Sequence, residues 1–234
     1  MGERGADYEA PSWLELRVSE LWPWLLVVAV PVAVATGSLW PIALVVLAPL
    51  LLRGWRMRHG RQLAVYREIR PRVAVEAIAA ALAVMALAVA ILSLDVPLLS
   101  WGWYSLVAEA TGDQAGATNI VVVPLEIPLL AVPFVALLVF LLPDLAAAEE
   151  RIFRVGTRGW LDGLRRSVAF GAAHLIMGIP IGAVVPLTLA GVWLTWHYFR
   201  GGQRESTRYH LAYNLVLVTV ATLVLVVPSL IGWG

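Results

Sequence analysis

Cysteine and lysine are both missing from this chain of 234 residues, and charge of either sign is scarce. Without cysteine there is no disulfide, no thiolate nucleophile and no cysteine-ligated metal or iron–sulfur cluster. Without lysine, all 17 basic residues are arginine, a bias that follows genome base composition and is compatible with a bacterial host. Only 14% of residues are charged, against about a quarter in a soluble domain. An ordinary cytosolic globule and a disordered chain are therefore excluded. The formal net charge of +1 argues against a nucleic-acid partner.

What is present is apolar: 60% of residues are hydrophobic and the mean hydropathy is +0.81. Crossing a bilayer takes about 20 such residues per helix. Apolar segments run at roughly 21–36, 39–52, 73–94, 120–142, 167–177, 181–199 and 209–231, with a weaker helix at 144–155. This predicts an all-α, polytopic transmembrane bundle of seven to eight helices with a cytosol-facing cavity. The first 20 residues mix acids and arginines with scattered apolar positions. They lack the basic start and apolar core of a signal peptide and read as a cytosolic surface segment. Residues 21–234 read as one transmembrane domain, since no repeat or linker divides them.

Arginine placement orients the spans, because short cytoplasmic loops collect positive charge. Seven arginines fall between Arg53 and Arg72, five between Arg151 and Arg166, and three between Arg200 and Arg208, while the 96–119 loop has none. Alternating the spans puts every arginine, and the N-terminus, on one face, expected to be the cytosol of a bacterial plasma membrane. Most tryptophans lie near segment ends, as interfacial anchors do. The prolines inside the apolar segments imply kinked helices around a cavity.

Ionisable groups within such segments are expensive and mark functional sites by default. Glu76 follows Arg72 by four residues and reads as its ion-pair partner, Glu126 reads as snorkelling, and His59 and His197 read as structural. Three motifs remain. Glu149 and Glu150 precede Arg154, with Glu150 and Arg154 at the favourable helical ion-pair spacing; Glu149 is left over. Phe170 precedes His174 by one turn, and His174 lies about 10 Å from Ser167 along the helix. His210 and Asn214 share one face of the last helix. Singly, these read equally as a surface salt bridge, a histidine bonded to a carbonyl and an interhelical hydrogen bond. Together they place a carboxylate, two imidazoles and an amide at one end of the bundle. That set suits amide hydrolysis, in which a carboxylate takes a proton from water and N–H groups hold the oxyanion.

In order and spacing, Glu149-Glu150-x-x-x-Arg154, Phe170-x-x-x-His174 and His210-x-x-x-Asn214 resemble the EExxxR, FxxxH and HxxxN motifs of the CPBP intramembrane protease family. That family contains type II CAAX prenyl proteases and Abi-like bacteriocin-processing or self-immunity proteins. The resemblance covers about 120–234, the implied catalytic core, and departs where Val155 separates Arg154 from Gly156. It implies that Glu149 activates water with help from His174, that His210 and Asn214 form an oxyanion hole, and that Glu150, Arg154 and Phe170 support them. The implied partners are membrane lipid and a peptide or lipidated-protein substrate. Family members are described both as metalloproteases and as metal-free glutamate enzymes. A metal-free route is favoured here because HExxH spacing is absent, while zinc through Glu149, His174 and His210 stays open. No GxSG or GxGD motif supports a serine or aspartyl intramembrane protease. Two other classes stand beside the endopeptidase: a non-catalytic immunity or peptide-binding protein, and a small-molecule transporter.

Overall fold

A computed structural model describes residues 13–56, 64–110 and 123–227, with the side chains of 13–23, Arg56, Glu126, Pro128, Leu225 and Val226 outside that description. Most of the expected N-terminal surface segment, His59 and much of the 96–119 loop lie outside the described residues. Those described are mostly helical, with no strand among them.

The helices are α1 (Trp13–Thr36), α2 (Trp40–Arg56), α3 (Pro71–Leu92), α4 (Pro97–Ser100), α5 (Tyr104–Ala110), α6 (Val123–Glu126), α7 (Pro128–Phe153), α8 (Trp160–Ala173) and α9 (Val184–Ala221). Among the described residues, three stretches are long and apolar enough to cross a membrane: Pro71–Leu92, Leu129–Phe153 and Ile181–Val224. Trp24–Thr36 and Trp40–Trp55 are apolar but shorter. Their outward faces are covered in large apolar side chains such as Val27, Leu82 and Leu129, the surface that lipid, not water, would solvate.

Sequence accounts for the helix boundaries. Proline stands at the first turn of α3, α4 and α7, where its missing N–H is no loss. α7 carries Pro133 and Pro143 and runs on without a stop to Phe153. The weak helix expected at 144–155 is therefore its last turns, because Leu142 and Ala146–Ala148 continue the helical pattern through Asp144. α8 begins at Trp160, ahead of the expected 167, and passes at His174 into a short 3₁₀ turn.

α9 looks like one long helix but is folded in two. Gly201 and Gly202 leave helical geometry, and Gly202 adopts φ +70°, a conformation open to glycine at no steric cost. The Ser206 hydroxyl lies 3.0 Å from the Leu194 carbonyl oxygen, and the His197 and Tyr209 rings stack with centroids 3.4 Å apart. Residues twelve apart in a straight helix would be separated by about 18 Å. The expected segment 181–199 and the described part of the expected segment 209–231, up to 227, are thus the two arms of a helical hairpin, joined more tightly than the arginine-rich connection implied.

Two apolar clusters hold the elements. One joins α1, α2, α5, α6 and α7 through residues such as Ala33, Ile42, Val107 and Phe134. The other packs Val73, Ala77 and Ala81 of α3 against Leu194, Tyr209 and Tyr213 of the hairpin. α8 docks on the first arm by small residues every fourth position. A Cβ on Gly163 or Gly171 would come within 2.6 Å of Thr195 Cγ2 or Thr188 Oγ1, and Ser167 sits against Gly191. Close backbone approach of this kind is how helices associate where lipid removes the hydrophobic drive. Beyond His174, the Trp103 indole donates to the Leu175 carbonyl at 2.9 Å.

Candidate functional site

Three elements deliver the site. The last turn of α7 supplies Glu149, Glu150 and Arg154 at its end, α8 supplies Phe170 with His174 just beyond it, and the second arm of α9 supplies Ser206, His210 and Asn214.

Glu150 and Arg154 are fully buried, so their ion pair, Nε to Oε2 at 3.8 Å, is not a surface salt bridge. Burying two charges is costly unless their remaining polar atoms find partners. Glu150 has them: Oε1 lies 2.7 Å from His210 Nδ1, and the Ser206 hydroxyl hydrogen-bonds Oε2. Because that hydroxyl has one proton and two acceptors, Glu150 and the Leu194 carbonyl, it serves them by turns. Arg154 Nη2 donates to the Gly191 carbonyl at 3.2 Å, and its guanidinium lies 4.5 Å from the Phe170 ring centroid, a cation–π distance.

Phe170 is the hub between the two imidazoles. Its centroid lies 4.7 Å from that of His174 and 5.8 Å from that of His210, edge to face in both cases. His174 Nδ1 lies 2.7 Å from the Phe170 carbonyl oxygen. A carbonyl only accepts, so Nδ1 carries the proton and Nε2 of the neutral ring is a free lone pair. The histidine–carbonyl bond read as an alternative for His174 is thus present, and it also sets the tautomer.

His210 is buried between both carboxylates: its Nε2 lies 3.4 Å from Glu149 Oε2, opposite the Glu150 bond. Glu149, about one third exposed, is the open end of the chain Ser206–Glu150–His210–Glu149. His174 and Glu149 do not pair with each other. Asn214 is half-buried, one turn beyond His210 on the same face, and makes no hydrogen bond to a described residue. Comparison with family models, with curated proteins and with solved structures finds no match to the chain.

A zinc ion needs three of these donors at once. The 3.4 Å between His210 Nε2 and Glu149 Oε2 matches the edge of a tetrahedron with bonds of about 2.1 Å, and Glu150 and the Phe170 carbonyl orient both imidazoles as outer-shell partners do. Among the described residues, however, no three His or acidic side chains are grouped about one point. The fit is partial.

Sequence reasoning missed Ser206, Gly191 and Leu194. Ser206 was findable, since it precedes His210 by one helical turn and so shares its face. The two carbonyls carry no sequence signal, because any residue supplies one. His197, read as structural, is buried among Trp193, Trp196 and Tyr209, with Nε2 3.8 Å from Glu76, which also holds Arg72 at 2.7 Å. Nearby, Glu68 receives Arg208 at 2.8 Å and Arg204 at 3.1 Å. These hydrogen bonds, Arg208's first, hold its carboxyl below the ordinary carboxylate range and tie the second arm of α9 to the segment before α3.

Proposed function

We propose that the chain is an integral-membrane endopeptidase that hydrolyses a peptide bond of a membrane-associated substrate with a water activated by Glu149. The observation that carries this is the ordered chain from a buried, ion-paired Glu150 through His210 to the half-open Glu149. Glu149 takes a proton from water as the water oxygen attacks the carbonyl carbon, and His174 accepts the other hydrogen at Nε2. His210, held at Nδ1 by Glu150, and the Asn214 amide are the hydrogen-bond donors for the oxyanion. Glu149 then returns the proton to the leaving amine as the C–N bond breaks.

The site lies on the arginine-rich face, which the positive-inside pattern assigns to the cytosol. A bacterial plasma membrane protein of seven to eight helices fits this reading. So does the resemblance to the CPBP proteases, which would make a peptide or lipid-anchored protein end the substrate. Purified protein in liposomes, given a library of fluorogenic lipidated peptides, should cleave at least one, and Glu149→Gln should abolish that cleavage. Peptide binding without cleavage in the native chain would turn the assignment towards a non-catalytic immunity or peptide-binding protein.

A further inference from the structure

α8 is too short to span a bilayer: 14 residues rise about 21 Å, against a hydrocarbon core of about 30 Å. Its inner side, Gly163, Ser167, Phe170 and Gly171, is buried. Its outer side exposes Trp160, Leu161, Leu164 and Val168, an apolar face turned away from the protein. Trp160 packs edge-on against Phe199 with centroids 5.0 Å apart, so the start of α8 meets the end of the first arm of α9. There Arg200 caps the Trp196 ring at 4.6 Å, and Trp196 and Phe199 are exposed like Trp160.

Three exposed arginines flank these residues along the chain: Arg158, two residues before Trp160; Arg165, one turn after Leu161; and Arg200, next to Phe199. None forms an ion pair with a described acid. Asp162 is engaged by the Arg158 backbone N–H at 3.1 Å and by Arg166 at 3.2 Å, and Glu205 is engaged by Arg208 at 3.1 Å. Unneutralised guanidiniums beside exposed tryptophans occupy the level where phospholipid phosphates lie. We propose that this surface, at the junction of α8 with the α9 hairpin, is a docking site for anionic phospholipid headgroups, with the aromatic side chains among the upper acyl carbons and the three arginines on the phosphates.

The docked lipid bears on the site described above, because α8 carries Phe170 and leads directly to His174. The proposal stands on this surface alone and uses neither Glu149 nor His210, so it holds or fails apart from the peptidase reading. The full chain would be purified in detergent mixed with equal amounts of phosphatidylglycerol and phosphatidylcholine, and the retained lipid read by native mass spectrometry. Phosphatidylglycerol should be retained in preference. Replacing the three by glutamine (R158Q, R165Q, R200Q) should lower that preference about fivefold for each arginine lost. The charge-keeping set R158K, R165K, R200K should preserve it, and single R165Q serves if the triple glutamine variant does not fold. Equal retention of both lipids by the native chain, an unchanged preference in R165Q, or displacement of the lipid by inorganic phosphate would each overturn the proposal.

Discussion

Glu150 and His210, sixty residues apart in sequence, are joined at 2.7 Å between Oε1 and Nδ1 with both side chains buried. One oxygen of the same carboxylate thus fixes a ring while the other receives Ser206 and faces Arg154. Removing one member should cost more than removing two. Glu150→Gln leaves a buried guanidinium without its counter-charge, an imbalance worth about 3–5 kcal/mol. The double variant Glu150→Gln with Arg154→Met should be less destabilised than the sum of the singles, as expected for residues in one network. Thermal unfolding of the four proteins in detergent measures this, and simple additivity would count against a coupled buried pair.

Glu149 should behave oppositely. Its side chain is about one third exposed and holds only the Nε2 side of His210, so Glu149→Gln should change stability by no more than about 0.5 kcal/mol. Peptide cleavage should nevertheless fall by at least about 10²-fold, the contribution of a positioned proton acceptor. Parallel unfolding and cleavage assays separate the two effects.

The contact between α8 and the first arm of α9 leaves no room at Gly171. A methyl there would meet Thr188 Oγ1 at 2.6 Å and the Val184 carbonyl at 2.7 Å. Gly171→Ala should destabilise by about 1–3 kcal/mol through overpacking, whereas Gly156→Ala, with open space around it but φ +83°, tests backbone strain without crowding. A Gly171→Ala protein with unchanged melting temperature would rule out this close packing.

Glu68 gives the fold a defined acid response. Its carboxyl is held low by Arg208 and Arg204, so the folded form binds a proton later than the unfolded chain does. The contribution is complete above the ordinary carboxylate pKa and is lost as pH falls through the lower folded value. The pairs are partly exposed, so Glu68→Gln should cost about 1 kcal/mol or less near neutral pH. The difference between Glu68→Gln and the native chain should shrink in acid, which unfolding titrations from pH 7 downwards would show.

Chelation separates the two chemistries open to Glu149, His174 and His210. With water activated by Glu149 alone, cleavage should survive exhaustive treatment with a zinc chelator. Loss of cleavage restored by added zinc would make those three side chains ligands and replace the route derived above. Zinc content of the purified protein gives a readout independent of activity.

Much of the site was legible in the sequence because helical spacing is nearly rigid: residues four apart share a face, so His210 with Asn214 and Glu150 with Arg154 could be paired on paper. Spacing within a helix does not say which residues meet between helices. The motifs named Glu149, His174 and His210 without saying which would touch: the carboxylate lies beside His210, and Phe170, not a direct bond, links the two rings. The Gly201–Gly202 break was legible only as a boundary. Its tightness depends on Gly202 taking a positive φ, which composition permits but does not demand. Helix ends shifted by several residues wherever polar side chains such as Asp144 and Asp162 turned out to sit inside helices that packing carries past them.

The fold of α9 upon itself also sets an order of assembly. Leu194 with Ser206, and His197 with Tyr209, are contacts between residues only twelve apart. Closing so short a loop costs little chain entropy, and structure rich in local contacts forms early. The hairpin can therefore bring Ser206 and His210 into register without help from α7. Glu150, sixty residues upstream, completes the cluster through a long-range contact, and its burial against Ser206, His210 and Arg154 checks that the right helix is in place. A nascent chain with the wrong helix in place leaves a charge stranded in an apolar interior, a state costly enough to reverse.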